Sequence, residues 1–214
     1  MKKHILILLI FTICADIKAQ EFQLKPNHSN FLYRYIDNPI SITSNPKDSL
    51  GVISLTLNTP SLHKLISGEF IVTPISDYKT SILTAVAKDI NGKARVNRFE
   101  LILRDIPPVL SHINGKTFLS LESSELETIK LEAGIPDFLY PLVFEVMDFE
   151  LKIPNQKPIR IEGNSIPKEI IGKIKKIKKG EYISLQNINI LAVEGFHGED
   201  KNFNCYNPVV IEIK

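Results

Sequence analysis

The chain has 214 residues, of which 43% are hydrophobic, and it carries 26 basic and 24 acidic side chains. That hydrophobic content is enough for one large or two small cores. The near balance of charge excludes the basic surface expected of a nucleic-acid-binding protein, and two cysteines are too few for a disulfide-rich scaffold.

The first residues, 1–19, predict a cleavable export signal. Lys2 and Lys3 precede an unbroken apolar run, Ile5 to Phe11, and Asp16 interrupts the segment soon afterwards. The apolar stretch has about half of the ~20 residues that a membrane-spanning helix needs, so a signal peptide is favoured over a membrane anchor. We therefore expect a periplasmic or secreted protein without stable membrane insertion.

Cleavage is expected after Ala19, a small residue, so that the mature chain starts at Gln20. A lipid anchor on Cys14 is disfavoured because Ile13 stands where a small residue is required. Removing the signal removes three lysines and one aspartate and leaves 23 basic and 23 acidic residues. Cys205 is then the one remaining cysteine, which excludes an internal disulfide.

Residues 20–104 are predicted to form an immunoglobulin-like β-sandwich. Apolar residues recur there with period two, the pattern of half-buried strands. Three triplets carry this pattern: Phe31, Tyr33 and Tyr35; Ile53, Leu55 and Leu57; and Phe99, Leu101 and Leu103. Turn residues separate the runs, and the pair Asn91 and Gly92 predicts a tight hairpin. Several short strands with such spacing are typical of a sandwich.

Residues 105–109 are predicted to be a linker, because the adjacent Pro107 and Pro108 each lack a backbone donor. The rest of the chain, 110–214, is predicted to be a second, β-rich domain with one or two helices. Three strand-like runs indicate the sheet: Phe149, Leu151 and Ile153; residues 183–193; and Val209, Ile211 and Ile213.

Two helices are predicted in this second domain. The spacing of Ser124 and Glu127 is that of a capping box, which predicts a short helix from about 124 to 132 that ends at Gly134. A second helix is predicted near 166–179. Its apolar face would consist of Ile166, Ile170, Ile171, Ile174 and Ile177, with Ser165 as N-cap and Gly180 at the end.

A cluster of lysines covers the opposite face of this second helix. Its members are Lys173, Lys175, Lys176, Lys178 and Lys179. A basic amphipathic helix can bind an anionic membrane surface. Cations in the last turns also interact favourably with the helix dipole, so a solvated face is the favoured interpretation.

No residue pattern predicts catalysis or metal binding. The four mature histidines, His28, His63, His112 and His197, lack the close spacing of a local zinc site. His197 stands beside Glu199 and Asp200, but a loop between strands explains these residues without acid-base chemistry. Cys205 has no nucleophile motif around it, and residues 89–93 lack the spacing of a calcium loop. We expect no enzyme activity, no catalytic, cofactor-binding or metal residues, and no cofactor.

The segment Leu32 to Ile42 resembles the third domain of the GldM/PorM family, in which a Leu-Tyr-Arg-x-x-Asp-Asn-Pro-Ile block recurs. Shorter blocks continue the resemblance in the same order, through the hairpin and linker and on to residues 149–151, 162–165, 178–181, 187–188 and the final strand. The signature positions, interpreted as determinants of the fold, are Tyr33, Arg34, Asp37, Asn38, Pro39, Asn91, Gly92, Gly163, Asn164 and Gly180.

This resemblance implies the outermost two domains of an elongated periplasmic homodimer of gliding motility and type IX secretion. The last domain of that family meets a ring of partner proteins at the outer membrane. The family's membrane helix and motor-coupling domain are expected to be absent, which would make this protein a soluble passive part. We therefore predict a non-catalytic exported scaffold or adaptor that binds an envelope protein and no nucleic acid. The alternative is a secreted β-sandwich adhesin or glycan-binding module.

Overall fold

The computed structural model describes residues 23–26, 31–43, 51–58, 62–64, 70–88 and 91–214. The predicted export signal and its cleavage position lie outside these ranges. The described residues form sixteen strands, one α-helix and one 3-10 turn. None of the helices among them is long and apolar enough to cross a membrane.

Eight strands make up the N-terminal half. They are β1 (Gln23–Pro26), β2 (Leu32–Tyr33), β3 (Asn38–Thr43), β4 (Gly51–Leu57), β5 (Leu62–Lys64), β6 (Phe70–Val72), β7 (Thr80–Lys88) and β8 (Ala94–Arg104). One sheet has the order β1-β3-β6-β5 and the other the order β2-β8-β7-β4. All described pairs are antiparallel except β2 with β8.

This strand order is that of an immunoglobulin-type sandwich. In such a fold the first, second, fifth and fourth strands form one sheet, and the third, sixth and seventh form the other. Here β2 is a short additional strand that joins the second sheet beside β8. The fold predicted for this part of the chain is confirmed, and we call strands β1–β8 the N-terminal sandwich.

The core of the N-terminal sandwich lies between its two sheets. Ile40, Phe70 and Val72 come from one sheet, and Leu55, Leu83, Leu101 and Leu103 from the other. Exposed Ser54 and Thr56 flank buried Leu55, as the period-two pattern predicts. The predicted hairpin is also confirmed, because β7 and β8 pair antiparallel and Gly92 has φ +76°.

The remaining strands belong to the C-terminal half. They are β9 (Leu110–His112), β10 (Phe118–Leu121), β11 (Glu132–Gly134), β12 (Val143–Lys152), β13 (Ile159–Glu162), β14 (Tyr182–Glu194), β15 (Asn202–Asn204) and β16 (Val209–Ile213). Six of them form a sheet of order β10-β16-β14-β12-β13, with β15 also paired to β14, and β9 pairs with β11 separately. We call this part the C-terminal sheet.

One face of the C-terminal sheet is covered and forms the larger core. Phe149, Leu151, Ile183, Ile190 and Ile211 pack there against Ile171 and Ile174 of the helix α1 (Lys168–Ile174). In both predicted runs all three residues are buried: Phe149 and Leu151 in β12 with Ile153 just after it, and Val209, Ile211 and Ile213 in β16. The outer face carries polar side chains, among them Arg160, which contacts Asp148 and donates from Nη1 to the carbonyl of Asn187 at 3.2 Å.

The helix predicted from 124 to 132 is wrong. The structure has only a 3-10 turn, Glu125–Glu127, and Ser124 makes no capping hydrogen bond. Glu125 instead accepts the amide of Glu122 at 2.7 Å. The chain then enters β11, which pairs with β9, so tertiary pairing overrides the local helix signal.

The second predicted helix exists but is shorter. It occupies Lys168–Ile174, with the extended Pro167 as N-cap, and Ser165 donates to Asn164 Oδ1 instead of capping it. Turns with i to i−3 bonds carry the chain onward to Ile177. The isoleucines do face the core, and the five lysines are exposed as the solvated-face interpretation predicts.

The first predicted strand is also wrong in part. β2 ends at Tyr33, and Tyr35 has φ +62°, in the left-handed region that ends an extended run. Leu32 and Ile36 are buried, whereas Tyr33 and Tyr35 contact aromatic rings of the C-terminal half. Phe31 contacts Tyr33 and lies under the guanidinium of Arg104. Two of the three aromatic residues therefore form contacts between the two halves.

Candidate interaction site

Asn38 is the buried centre of the turn between β2 and β3. Its side-chain oxygen accepts the amide of Tyr33 at 2.8 Å, and its Nδ2 lies within 3.0 Å of the carbonyls of Tyr33, Ile36 and Val72. It is 1% exposed. A buried amide with partners on both strands fixes the path of the backbone, which explains why this residue belongs to the signature. Pro39 follows it inside β3 and pairs with Ile71.

Arg34 ties the same turn to two other segments. Its Nη1 donates to the carbonyl of Asp77 at 3.0 Å, and its Nη2 lies 2.8 Å from Asp105 Oδ1 in the predicted linker. The Nε of Arg34 is buried and has no hydrogen-bond partner among the described residues. Tyr35 Oη donates to Asp77 Oδ1 at 2.7 Å, and this hydrogen bond raises the pKa of Tyr35.

Backbone contacts join this turn to the loop after β14. Ile36 forms an isolated antiparallel bridge with Phe196, and the amide of His197 donates to the carbonyl of Tyr35 at 2.7 Å. His197 Nε2 also lies 3.1 Å from Asp37 Oδ1, which accepts the hydroxyl of Thr73 at 2.5 Å. His197 is therefore a contact between the two halves, in the loop position that the sequence predicts.

Aromatic rings fill the space around these backbone contacts. Tyr33 meets Phe138 and Tyr140 edge-on, with ring centroids 5.1 and 5.3 Å apart. Tyr35 lies 5.7 Å from Phe196, which contacts Phe203 at 5.1 Å. Burial at this contact raises the pKa of Tyr33. We call this set of backbone and ring contacts the junction.

Two glycines in the loop after β14 allow backbone and ring atoms to pack at the junction where a side chain would not fit. Gly195 has φ +77°, and a Cβ built there would lie 1.9 Å from the carbonyl oxygen of Pro141. A Cβ on Gly198 would lie 2.5 Å from the ring of Phe196. Aromatic residues bracketed by glycines in a loop are the signal that sequence reasoning missed for Phe196.

Gly163 and Asn164 lie in a different place, at the end of β13. The amide of Gly163 donates to the carbonyl of Met147 at 2.7 Å, and the carbonyl of Asn164 accepts the amide of Leu131 at 2.8 Å. These bonds hold the chain beside an open groove of about 570 Å³. The groove is lined by His112, Leu131, Glu132, Ala133, Phe144, Glu145, Val146, Gly163 and Asn164.

The other signature residues are turn formers away from both features. Asn91 and Gly92 occupy the tip of the β7–β8 hairpin. Gly180 has φ +84°, and its amide donates to the carbonyl of Ile213 at 2.7 Å. The structure thus brings five signature residues together at the junction, two at the groove and none at a common reactive centre.

Within the described part of the chain, no group of three or more His, Cys, Asp and Glu side chains could hold a metal ion. His112 Nδ1 lies 3.2 Å from Glu132 Oε2 in the groove, and His197 pairs with Asp37. Cys205 packs against the larger core, and burial raises the pKa of its thiol to about 11. Such a thiol is a poor nucleophile at neutral pH.

A family model for the GldM C-terminal domain matches residues 107–214. No curated protein matches the chain in sequence. The fibronectin(III)-like modules of Clostridium thermocellum CbhA are 13% identical, with 90% of this chain and 94% of that chain covered and a TM-score of 0.28. Murine CEACAM1b is 9% identical over 91% of this chain and all of that chain, with a TM-score of 0.29.

SGBP-B of the Bacteroides ovatus mixed-linkage glucan utilization locus is also similar. It is 13% identical, this chain spans 42% of its length, and the TM-score is 0.27. Scores this low carry no statement about function. The family match is of another kind, because it covers half of the chain and includes the whole C-terminal sheet. The chain belongs to the GldM C-terminal domain family.

Proposed function

We propose that this protein is a non-catalytic, exported scaffold that binds a protein partner of the cell envelope, in the periplasm or outside the cell. The observation that carries the proposal is the family match across residues 107–214. Proteins of this class take part in gliding and type IX secretion, so ring components of that machinery are the first partners to test.

The junction supports a scaffold role. A β-bridge, a backbone hydrogen bond of 2.7 Å and a cluster of aromatic rings connect the N-terminal sandwich to the C-terminal sheet. Directional backbone contacts and edge-to-face rings define an orientation more closely than a flexible linker does. A partner bound to the C-terminal sheet would then be held at a fixed position relative to the sandwich.

The surface of the C-terminal sheet is suited to a protein partner. Val143, Met147 and Val193 are more than a third exposed on strands whose alternate side chains enter the core. Apolar residues of this size on an outer sheet face, next to polar side chains, are characteristic of interaction surfaces. The exposed Phe118 and Tyr182, with ring centroids 6.3 Å apart, extend the aromatic content of the surface.

The test is affinity purification of the tagged protein from its native envelope after crosslinking. An unrelated exported protein with the same tag is the control. We expect reproducible enrichment of a secretion or gliding component over that control. Consistent absence of any such component, together with retention on a glycan array, would instead favour the adhesin or glycan-binding alternative.

Export and assembly are tested separately. We expect the mass of the purified protein to correspond to a chain starting at Gln20, and retention of residues 1–19 would contradict export by a cleaved signal. The proposal includes a homodimer, for which solution scattering should give twice the mass of the mature chain. A monomeric mass over a range of protein concentrations would remove the dimer from the proposal.

A further inference from the structure

One face of the second sheet of the N-terminal sandwich is open to solvent. β7 and β8 pair along nearly their whole length, from Thr80 opposite Ile102 to Lys88 opposite Ala94. Alternate residues of both strands point away from the core, and most of these side chains are exposed. We call this set the outer face; its residues are Thr80, Ile82, Thr84 and Val86 on β7, and Val96, Arg98, Glu100 and Ile102 on β8.

Apolar side chains lie toward both ends of the outer face. Val96 is 55% exposed, Ile102 is 52% exposed and Ile82 is 44% exposed. Val96 lies directly opposite Val86, and Ile82 lies diagonally across from Ile102. Single exposed apolar residues are common on protein surfaces, but two apolar pairs on one sheet face offer a partner two patches to cover.

The centre of the outer face carries one charge of each sign. Arg98 and Glu100 are exposed and lie two residues apart on β8. Neither forms an ion pair within the described part of the chain. A rotation by 180° about an axis that crosses β8 at Phe99 exchanges the positions of the two charges. The same rotation exchanges Val96 with Ile102, so the pattern along β8 is complementary to itself.

We propose that the outer face is the interface of an isologous homodimer, in which two copies pack face to face with their β8 strands antiparallel. Every contact in such an interface occurs twice. Arg98 of each copy lies opposite Glu100 of the other, and Val96 lies opposite Ile102. The inference rests on the homodimer of the proposed function and specifies its surface and its geometry.

The charges select the antiparallel arrangement. Parallel β8 strands in the same register would place arginine on arginine and glutamate on glutamate, and like charges in contact across an interface are unfavourable. Two packed sheets cross at about 30° because each sheet is twisted, so their alignment is closest at the centre of the contact. Arg98 and Glu100 lie at that centre.

An antiparallel dimer places the two C-terminal sheets at opposite ends. The chain leaves the sandwich at Arg104, and Tyr33 of the junction pairs with this same residue. The axis at Phe99 turns that end of one copy away from that end of the other. The scaffold would therefore hold two partner molecules on opposite sides of the dimer.

Charge exchange tests the pairing. Sedimentation equilibrium over about 10–1,000 µM protein should show a concentration-dependent dimer. Arg98→Glu and Glu100→Arg should each raise the dimer dissociation constant at least about tenfold, because two attractive pairs become repulsive. The variant with both changes should regain the wild-type constant, and an equimolar mixture of the two single variants should form a heterodimer of similar affinity. Glu162→Arg, at an exposed position on β13, is the matched control and should leave the constant unchanged.

Crosslinking tests the orientation of the two copies. Val96→Cys and Ile102→Cys are prepared as separate variants and treated with a short bis-maleimide. When the two variants are mixed, we expect covalent dimers in which peptide mass spectrometry locates the link between positions 96 and 102. Efficient crosslinking of each variant to itself, without preference for the mixture, would indicate parallel strands and overturn the proposal.

Failure of this inference can be distinguished from failure of the proposed function. A monomeric mass at every concentration would remove the homodimer and this interface, whereas capture of an envelope partner would still support the scaffold. A dimer that neither Arg98→Glu nor Glu100→Arg weakens would keep the homodimer but overturn the outer face as its interface. A dimer that both single changes weaken and their combination does not restore would overturn the antiparallel charge pairing.

Discussion

At the scale of single residues, Asn38 shows how one side chain can define a turn. Its amide satisfies backbone groups of Tyr33, Ile36 and Val72 that would otherwise be buried without partners. Asn38→Ala should lower the free energy of unfolding by roughly 2–4 kcal/mol, because it leaves several buried polar groups unpaired. Urea denaturation measures the difference in the free energy of unfolding between this variant and wild type. Asn204→Ala, at an exposed position, is the control and should stay within about 0.5 kcal/mol of wild type. Equal effects of both variants would contradict a special role for Asn38.

Cys205 allows a second measurement at this scale. Burial raises the pKa of its thiol from 9.0 to about 11. At pH 8, iodoacetamide should modify Cys205 roughly 100-fold more slowly in the folded protein than in the urea-unfolded protein, because the thiolate is the reactive form. Mass spectrometry measures the two rates, and equal rates would contradict burial of the thiol.

Because burial raises the pKa of Cys205, the free energy of unfolding of the protein depends on pH. Between pH 9 and about 11 the unfolded thiol has lost its proton while the folded thiol retains it. The contribution of Cys205 to stability is therefore fully present below pH 9 and is lost as pH rises toward 11. A Cys205→Ser variant should show a shallower loss of stability over this range.

At the scale of elements, strands with one buried face were predictable from the sequence. Apolar and polar residues alternate in β4, β8, β12 and β16 because one face of each strand is buried and the other faces solvent. The segment 124–132 was mispredicted because a capping box is a local signal. Leu131 instead bonds the distant Asn164, and β11 finds its partner in β9. Pairing between segments that are far apart in the chain produces no local sequence pattern from which it could be predicted.

Two glycines in and after helix α1 allow the effect of helix propensity to be compared with the effect of a left-handed backbone conformation. Gly172 is exposed in the middle of α1, and a Cβ there meets nothing within 4 Å. Gly172→Ala should stabilise the protein by about 0.5–1 kcal/mol, because alanine loses less entropy in a helix. Gly180 has equally open space but φ +84°, so Gly180→Ala should destabilise by about 1 kcal/mol. Thermal denaturation compares the two variants with wild type. Shifts of the melting temperature in the same direction for both variants would contradict the backbone conformations assigned to Gly172 and Gly180.

At the scale of the whole molecule, the junction was beyond sequence reasoning. The turn of Tyr33 to Pro39 was recognised as a determinant of the fold, and in the structure the side chain of Asn38 bonds the backbone of this turn. Its partners Phe138, Tyr140 and Phe196 lie about a hundred residues or more away in the chain, in loops without periodicity. The groove was hidden for a similar reason. Gly163 and Asn164 were identified as turn residues, but β11 was predicted as helix, so one wall of the groove was missing.

Phe196 is the residue through which the junction can be tested as a unit. Its ring lies between Tyr35 and Phe203, and its backbone forms the bridge with Ile36. Phe196→Ala should cost about 2 kcal/mol, less than the ~3–5 kcal/mol of a fully buried phenylalanine, since the ring is only partly buried. Because the lost contacts join the two halves, solution scattering should show a broader distribution of interatomic distances while circular dichroism stays unchanged. Phe118→Ala, which removes a half-exposed ring from β10, is the matched control and should leave the scattering profile as in wild type. An unchanged profile for Phe196→Ala would mean that the backbone bridge and the Tyr33 cluster suffice to hold the two halves together.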